Sequence, residues 1–257
     1  MARPEVDVAR IALACLDLTS LNDADTEAQI DTLCERASGA HGHVAAVCVW
    51  PRLARFARAR AHPAVAVAAV ANFPDGSTDI ERALRDTGEI RQAGAQEVDV
   101  VLPYRALLAG DTASCAALLQ AVRRAAQGMM LKVILETGEL REPALIRTAA
   151  RLALDAGADF LKTSTGKTPV SATPAAAQVM LDTIAADVAA KARVGLKAAG
   201  GVRSVADAAV YLDLVEARLG ASALVPARFR FGASALLGDL ERVLAVAPPG
   251  ADAADGY

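Results

Sequence analysis

The stretch DFLKTSTGK, residues 159–167, places a lysine inside a sequence that is otherwise typical of a buried β-strand. Phe160 and Leu161 precede Lys162, and two threonines and a serine follow it. An ammonium group in a buried strand is costly unless it is paired with a carboxylate or loses its proton. The stretch therefore predicts a strand whose lysine has a specific chemical task.

Seven further apolar runs have the character of this strand, and longer helical patterns separate them. Their starts are about 20 to 35 residues apart, which is the spacing of a strand followed by a crossover helix. The eight predicted strands are ACLDLT (14–19), AAVCVW (45–50), VAVAAVANF (65–73), EVDVVLP (97–103), LKVILET (131–137), DFLKTST (159–165), VGLKAAG (194–200) and FRFGAS (229–234).

Helix boundaries in the intervening segments support this alternation. Thr173 followed by Pro174 predicts a helix start, because a threonine caps well and a proline is tolerated at the first helical position. Ser204 and Asp207 form a capping-box-like start, and that helix ends at Gly220. We predict one α/β domain over residues 1–257, a single (β/α)₈ TIM barrel with a flexible tail at about 247–257. A doubly wound open sheet is the alternative.

Composition excludes several classes of function. The net charge is −3 with no basic block, which argues against nucleic acid as a partner, and no apolar run is long enough to span a membrane. The four cysteines form no C-x-x-C pair, so we expect a reducing, cytoplasmic setting. The three histidines lack partners at ligand spacing, so we expect no metal site.

The use of lysine is more informative than the net charge. The chain has 22 arginines and five lysines, so arginine supplies most of the positive charge. An arginine is always protonated, whereas a lysine becomes an amine nucleophile once its pKa is lowered. Lys132, Lys162 and Lys197 all lie in apolar strand-like runs, where they do nothing for solubility.

Lys162 and Lys197 fall in the sixth and seventh predicted strands, which are neighbours in a parallel barrel. If both side chains face the interior, each charge disfavours the other, and burial acts in the same direction. A lysine that becomes neutral in this way can form a Schiff base with a carbonyl substrate. The resulting iminium is an electron sink, so a carbon–carbon bond beta to it can break.

Two further buried charges leave alternatives open. Asp99, in EVDVVLP, is either a proton shuttle between substrate and Lys197 or a structural counter-ion for a buried lysine. Lys132 either lines the site or forms an ion pair with Glu136 or Asp99 that supports it.

Glycine-containing turns after the last three strands predict an anion site. Gly166 with Lys167, then Gly200 with Gly201, and then Gly232 with Ser234 follow the sixth, seventh and eighth strands. Backbone N–H groups in such turns bind anions, and barrels often hold phosphate in the loops after strands seven and eight.

Six segments resemble the 2-deoxyribose-5-phosphate aldolase family, and the order and spacing agree from about residue 10 to residue 240. The segments are NFPDG (72–76), EVDVVLPYRALLAG (97–110), LKVILETGEL (131–140), KTSTGK (162–167), VGLKAAGGVR (194–203) and RFGAS (230–234). The resemblance implies a (β/α)₈ barrel that reversibly cleaves 2-deoxy-D-ribose 5-phosphate to acetaldehyde and D-glyceraldehyde 3-phosphate. It also implies that no metal or organic cofactor takes part, and family habit points to a homodimer.

The resemblance assigns roles to individual positions. Lys162 corresponds to the Schiff-base lysine, Lys197 to the lysine that lowers its pKa, Asp99 to the proton relay, and Tyr257 to a tail tyrosine that assists proton transfer. Positions implied to bind phosphate, directly or through backbone amides, are Gly166, Lys167, Gly200, Gly201, Arg203, Gly232 and Ser234. Positions implied to line the substrate pocket are Asp17, Thr19, Cys48 and Thr165.

Two positions depart from the family pattern, and two rival functions remain. Ala198 stands where the family often has proline or serine, and Ala235 where it often has a second serine, which removes one potential phosphate hydrogen bond. The rivals are a Schiff-base aldolase with a ketose donor, such as a transaldolase-like or ketose-bisphosphate aldolase, and a non-catalytic sugar-phosphate-binding barrel.

Overall fold

Eight short parallel strands close into a barrel in the computed structural model, which describes residues 3–246. The strands are β1 Leu16–Thr19, β2 Ala46–Val49, β3 Ala66–Ala71, β4 Glu97–Val101, β5 Met130–Ile134, β6 Phe160–Lys162, β7 Gly195–Ala199 and β8 Phe229–Ala233. Seven of them lie inside the predicted runs, and β5 begins one residue before its run. Because β1 pairs with both β2 and β8, the sheet has no edge, and the alternative of an open sheet is wrong.

Helices surround the barrel and bury their apolar faces against it. Within residues 3–246 they are α1 Glu5–Ala14, α2 Glu27–Arg36, α3 Pro51–Arg60, α4 Ile80–Gln92, α5 Tyr104–Leu108, α6 Thr112–Ala125, α7 Thr137–Leu140, α8 Pro143–Asp155, α9 Pro174–Ala185, α10 Val188–Arg193, α11 Val205–Leu219 and α12 Leu236–Val246.

The predicted helix starts at α9 and α11 are confirmed. The Thr173 hydroxyl accepts a hydrogen bond from the Ala176 amide, and Pro174 is the first helical residue. Ser204 and Asp207 form a reciprocal capping box, and Gly220 ends α11.

The register of the strands determines which side chains meet inside the barrel. Lys162 in β6 lies directly opposite Lys197 in β7, as expected for neighbouring strands. Asp99 in β4 lies opposite Lys132 in β5. In a parallel barrel the carboxyl ends of all strands point to one face, where the loops that follow them gather.

One feature lies outside the barrel pattern. Ser38–Gly39 and Gly42–His43 form a small antiparallel hairpin between α2 and β2 that sequence analysis did not predict. Among the helices described, none is both long enough and apolar enough to cross a membrane.

Candidate active site

Charged side chains from six of the eight strands enter the barrel interior, and all of them are buried. β2 and β3 contribute none, since their residues are alanine, valine and Cys48. The interior charged residues are Asp17, Glu97, Asp99, Lys132, Lys162, Lys197 and Arg230. A core of this kind is unfavourable unless each charge is paired or neutralised.

The Asp99 carboxylate holds all three buried lysines. Its Oδ2 accepts hydrogen bonds from Lys162 Nζ and Lys197 Nζ, both at 2.8 Å, and its Oδ1 accepts one from Lys132 Nζ at 2.9 Å. Because Lys162 and Lys197 share one oxygen atom, their nitrogens are no more than twice that distance apart. The predicted proximity of these two lysines is therefore a feature of the structure.

A second group of contacts involves two further buried carboxylates, those of Asp17 and Glu97. The Asp17 carboxylate accepts hydrogen bonds from Lys197 Nζ and from the Arg230 guanidinium. Glu97 accepts hydrogen bonds from Lys132 Nζ and from Arg230 Nη2, the latter at 2.9 Å. Sequence analysis considered Glu136 and Asp99 as ion-pair partners of Lys132. The structure contains the ion pair with Asp99, and a pair with Glu97 instead of Glu136.

These surroundings affect the three lysines differently. Burial lowers the pKa of Lys162, Asp99 opposes that effect, and the charge of Lys197 adds to it. Burial alone would lower the pKa of Lys197, but Asp17 and Asp99 raise it above its usual range. The pKa of Lys132 is also raised, by Asp99 and Glu97. Lys162 is thus the one interior lysine biased towards a neutral amine, and burial is the larger cause.

The buried acids and thiols complete this electrostatic balance. Burial opposes ionisation of Asp99, but the three lysines hold the pKa of that carboxyl well below its usual range. Lys197 and Arg230 likewise lower the pKa of Asp17 against the effect of burial. Burial raises the pKa of Cys48, whose Sγ lies 4.0 Å from Asp99, so this thiol is protonated and is not a nucleophile.

A cavity of about 570 Å³ opens at the carboxyl ends of β1, β6, β7 and β8, and Lys162 lies in its wall. Of the interior charged side chains in the described structure, Lys162 alone reaches this cavity. The other lining residues include Thr19, Leu21, Thr165, Gly166, Lys167, Gly200, Gly201, Arg203, Gly232, Ser234 and Ala235. Among these described lining residues there is no Asp or Glu, so the cavity is cationic and suits an anionic ligand.

The predicted phosphate-binding residues all line this cavity, although some of their groups have partners already. Lys167 Nζ donates to the Leu21 carbonyl at 2.7 Å. The Gly200 amide donates to the Gly232 carbonyl, and the Arg203 amide donates to Asp207. Gly232 has a second role, because a Cβ at this position would lie 3.0 Å from Lys197 Cε and 2.9 Å from Ala199 Cβ.

The four predicted pocket residues divide between two places. Thr19 and Thr165 line the cavity. Asp17 and Cys48 are buried below the cavity wall, where Asp17 contacts Lys197 and Cys48 lies beside Asp99. Tyr257 lies outside the described residues.

Sequence analysis assigned no role to Glu97 or Arg230, and the ion pair with Lys132 that it considered for Glu136 is not formed. Glu97 is two residues from Asp99 on the same strand, so the two carboxylates share a face, and this spacing indicates a second interior acid. Arg230 is flanked by Phe229 and Phe231 in a buried strand, a pattern that indicates an interior cation.

Glu136 gave a weaker sequence signal, as a polar residue near the end of a predicted strand. It has a left-handed backbone (φ +57°), which is uncommon for a residue other than glycine. Its buried carboxylate accepts hydrogen bonds from the Thr165 hydroxyl and from Thr168 Oγ1, and burial raises its pKa. Glu136 therefore fixes the turn that carries Thr165 along the cavity.

Fold and site together define a class of protein: a (β/α)₈ barrel with a buried lysine in the wall of a cationic cavity at the carboxyl ends of its strands. The family model described as DeoC/LacD family aldolase matches residues 11–240. The chain belongs to the DeoC/LacD family of aldolases.

Individual relatives agree with that membership. A deoxyribose-phosphate aldolase from Agrobacterium fabrum (strain C58) is 46% identical over 261 residues, covering 100% of this chain and 98% of the relative. The apo structure of a protein assigned as a deoxyribose-phosphate aldolase from Toxoplasma gondii ME49 has a TM-score of 0.86 at 25% identity, covering 95% of this chain and 98% of that one. A tetrameric deoxyribose phosphate aldolase from Aeropyrum pernix has a TM-score of 0.73 at 25% identity, covering 96% and 100%.

Proposed function

We propose that this aldolase reversibly cleaves 2-deoxy-D-ribose 5-phosphate to acetaldehyde and D-glyceraldehyde 3-phosphate through a Schiff base on Lys162. One observation carries the proposal: Lys162 is the interior lysine that both reaches the cationic cavity and has a lowered pKa. The name of the 46% identical relative supports the choice of an aldehyde donor over a ketose.

The reaction begins with carbon–nitrogen bond formation. The neutral Lys162 amine attacks C1 of the open-chain sugar and gives a carbinolamine, which loses water to become an iminium. Lys197, which Asp17 and Asp99 keep protonated, is placed to supply the proton that this loss of water needs. Lys162 and Lys197 share Oδ2 of Asp99, whereas Lys132 contacts Oδ1 and Glu97, so we assign Lys132 a role in electrostatic support.

Bond cleavage follows from the iminium. The electrons of the C2–C3 bond form the C1–C2 double bond of an enamine, and the π electrons of the iminium move to its nitrogen. The C3 hydroxyl loses its proton and becomes the aldehyde of glyceraldehyde 3-phosphate. Asp99, acting with Lys197 and through a water, accepts that proton. The enamine carbon is then protonated, a step to which we assign Tyr257, and hydrolysis releases acetaldehyde and the free amine.

The phosphate of the substrate binds at the other end of the cavity. Lys167 and Arg203 supply positive charge there, and the turns at Gly166, Gly200, Gly201, Gly232 and Ser234 shape the site. A cavity of about 570 Å³ is of the size that small-molecule sites have. Binding requires Lys167 to exchange its contact with the Leu21 carbonyl for one with the phosphate.

The assay that tests this function compares donors. We expect the protein to release triose phosphate from 2-deoxyribose 5-phosphate, and a coupled reduction that consumes NADH measures the rate of this release. The rate with fructose 1,6-bisphosphate should not be comparable. A preference for the ketose would identify the ketose aldolase, and binding without turnover of either sugar would identify a non-catalytic barrel. Lys191→Met, which removes an exposed lysine, is the matched control.

Restoring a hydroxyl at position 235 tests the phosphate end. Ala235 lines the cavity beside Ser234, and one added hydrogen bond contributes about 0.5–1.5 kcal/mol. We expect Ala235→Ser to lower KM for 2-deoxyribose 5-phosphate by about 2- to 10-fold. The kinetics of unphosphorylated 2-deoxyribose are the control and should not change. Equal improvement for both sugars would place the phosphate elsewhere.

Domain organisation, assembly and location complete the proposal. We assign residues 1–257 to one domain that works as a homodimer in the cytoplasm, where the four unpaired, buried cysteines would stay reduced. The tetrameric relative from Aeropyrum pernix supports self-association in general. Light scattering on the purified chain measures the number of subunits directly.

A further inference from the structure

Arg230 and Glu97 form an ion pair across the full width of the barrel interior. They lie on β8 and β4, which are four strands apart in a closed barrel of eight and therefore face each other. Arg230 Nη2 donates to Glu97 Oε1 at 2.9 Å, and both side chains are buried. Neither residue lines the cavity, so neither can touch a bound substrate.

The Arg230–Glu97 pair connects two of the buried lysines, Lys197 and Lys132. Arg230 also donates to Asp17, which holds Lys197, and Glu97 also accepts from Lys132. Each of these contacts leads in one further step to Asp99, and thereby to Lys162. A change of charge at Arg230 or Glu97 therefore alters the electrostatic potential at Lys162, although neither residue contacts Lys162.

The interior charges do not balance if every group is ionised. The cations would be Lys132, Lys162, Lys197 and Arg230, and the carboxylates are Asp17, Glu97 and Asp99. No other strand alters this balance, because β3 has no titratable residue and β2 contributes only Cys48, whose raised pKa keeps it neutral. The neighbouring Cys15 thiol, with its pKa raised to about 12, is neutral as well. The other two buried acids form no ion pair with these four cations. Glu136 accepts hydrogen bonds from Thr165, although the charge of Lys162 lowers its pKa slightly against the effect of burial, and Asp25 accepts hydrogen bonds from Ser20 and Asn22.

One cation must therefore lose its proton for the interior to be neutral, and the contacts determine which. Arg230 is an arginine and keeps its charge. Lys132 contacts Glu97, Asp99 and Asp17, and Lys197 contacts Asp17 and Asp99. Lys162 contacts Asp99 alone, through an oxygen that it shares with Lys197. Lys162 is therefore the cation with the fewest carboxylate contacts to compensate its charge.

We propose that Arg230 and Glu97 are positioning residues that set the charge balance of the barrel interior and so keep Lys162 in its amine form. Arg230 supplies the surplus positive charge that expels the proton from Lys162. Glu97 limits that surplus and keeps Lys132 protonated. This inference rests on the proposed role of Lys162 as the nucleophile.

Opposite single substitutions give opposite predictions. In Arg230→Met, three cations face three carboxylates, so Lys162 stays protonated to a higher pH. In Glu97→Gln, four cations face two carboxylates, so Lys162 loses its proton at a lower pH. In the double variant three cations face two carboxylates, one surplus charge returns, and Lys162 behaves as in the unchanged protein.

The experiment measures the titration of Lys162 without using catalysis. Cyanate reacts with neutral amines only, and mass spectrometry gives its rate at Lys162 as a function of pH, with the exposed Lys191 as internal reference. We expect the midpoint to move up by about one pH unit or more in Arg230→Met and down by about the same in Glu97→Gln. It should return to its original position in the double variant. The acid limb of kcat/KM for 2-deoxyribose 5-phosphate should follow the same order.

The matched control is Arg228→Met. Arg228 precedes β8 and donates to the Lys191 and Ala192 carbonyls outside the barrel interior, so its loss should leave the Lys162 midpoint unchanged. If the two single variants move the midpoint in the same direction, or the double variant fails to restore it, the inference is wrong. If Arg230→Met does not fold, Glu97→Gln alone decides by the sign of its shift. Correct shifts in cyanate labelling without any aldol cleavage would overturn the proposed function but leave the charge balance intact.

Discussion

Replacing Lys162 with methionine is expected to lower kcat by at least about 10⁴-fold, the scale seen when an enzyme loses its covalent nucleophile. Methionine is close to lysine in length but cannot form a carbon–nitrogen double bond with the substrate. The Asp99 carboxylate keeps its contacts to Lys132 and Lys197 in this variant, so the rest of the network stays paired.

The same variant should not be less stable than the unchanged protein. Since the pKa of Lys162 is lowered in the folded state, the unfolded chain binds more protons at this position. The resulting loss of stability is absent above the unfolded pKa of about 10.4 and grows as pH falls towards the folded value. Lys162→Met removes this loss, so its advantage in free energy of unfolding should increase as pH is lowered over that interval.

Urea unfolding at several pH values, together with the coupled cleavage assay, checks both effects. Lys191→Met, at an exposed position, should change neither quantity. Substantial activity in a well-folded Lys162→Met protein would show that another residue forms the intermediate. A large loss of stability would show that Lys162 is a structural cation paired with Asp99.

Replacing Asp99 with asparagine should combine the second largest loss of activity with the largest loss of stability. Asparagine keeps the shape but removes the charge that compensates three buried lysines. Breaking a buried ion pair from one side costs about 3–5 kcal/mol. Loss of a positioned proton acceptor lowers kcat by about 10²- to 10⁴-fold.

The pH dependence of stability distinguishes this mechanism from simple loss of packing. The pKa of Asp99 is lowered in the folded state, so its stabilising contribution is present above the unfolded pKa of about 3.9 and is lost as pH falls below it. The difference in free energy of unfolding between the two proteins should therefore shrink in acid. A difference that stays constant between pH 7 and pH 3 would contradict the ionic role of Asp99.

The fold could be predicted from the sequence because its elements are local. Each strand is a short run with its own apolar character, and helix signals such as Thr173 with Pro174 or Ser204 with Asp207 lie within a few residues of each other. Eight repeats of strand and helix then favour one closed topology. The hairpin at residues 38–43 was missed because its two-residue strands carry no periodic pattern.

The site could be predicted from the sequence only where a charged residue interrupts an apolar strand. Lys162, Lys197 and Asp99 are charged residues in apolar strands, and the structure brings them together on one carboxylate oxygen. Which partner each charge takes depends on packing across the barrel.

Long-range contacts carry no local signal of this kind. The Arg230–Glu97 pair joins residues 133 positions apart, and the contact of Lys167 with the Leu21 carbonyl joins residues 146 apart. No local pattern encodes such contacts, so the second half of the charge network emerged only from the structure.

Borohydride trapping tests the central claim most directly. The protein is incubated with acetaldehyde, reduced with borohydride, digested and mapped by mass spectrometry. The account predicts one stable ethyl adduct on Lys162 that is absent from Lys162→Met and unchanged in Lys191→Met. An adduct on Lys197 or Lys132 instead, or no adduct on folded protein in excess aldehyde, would contradict it.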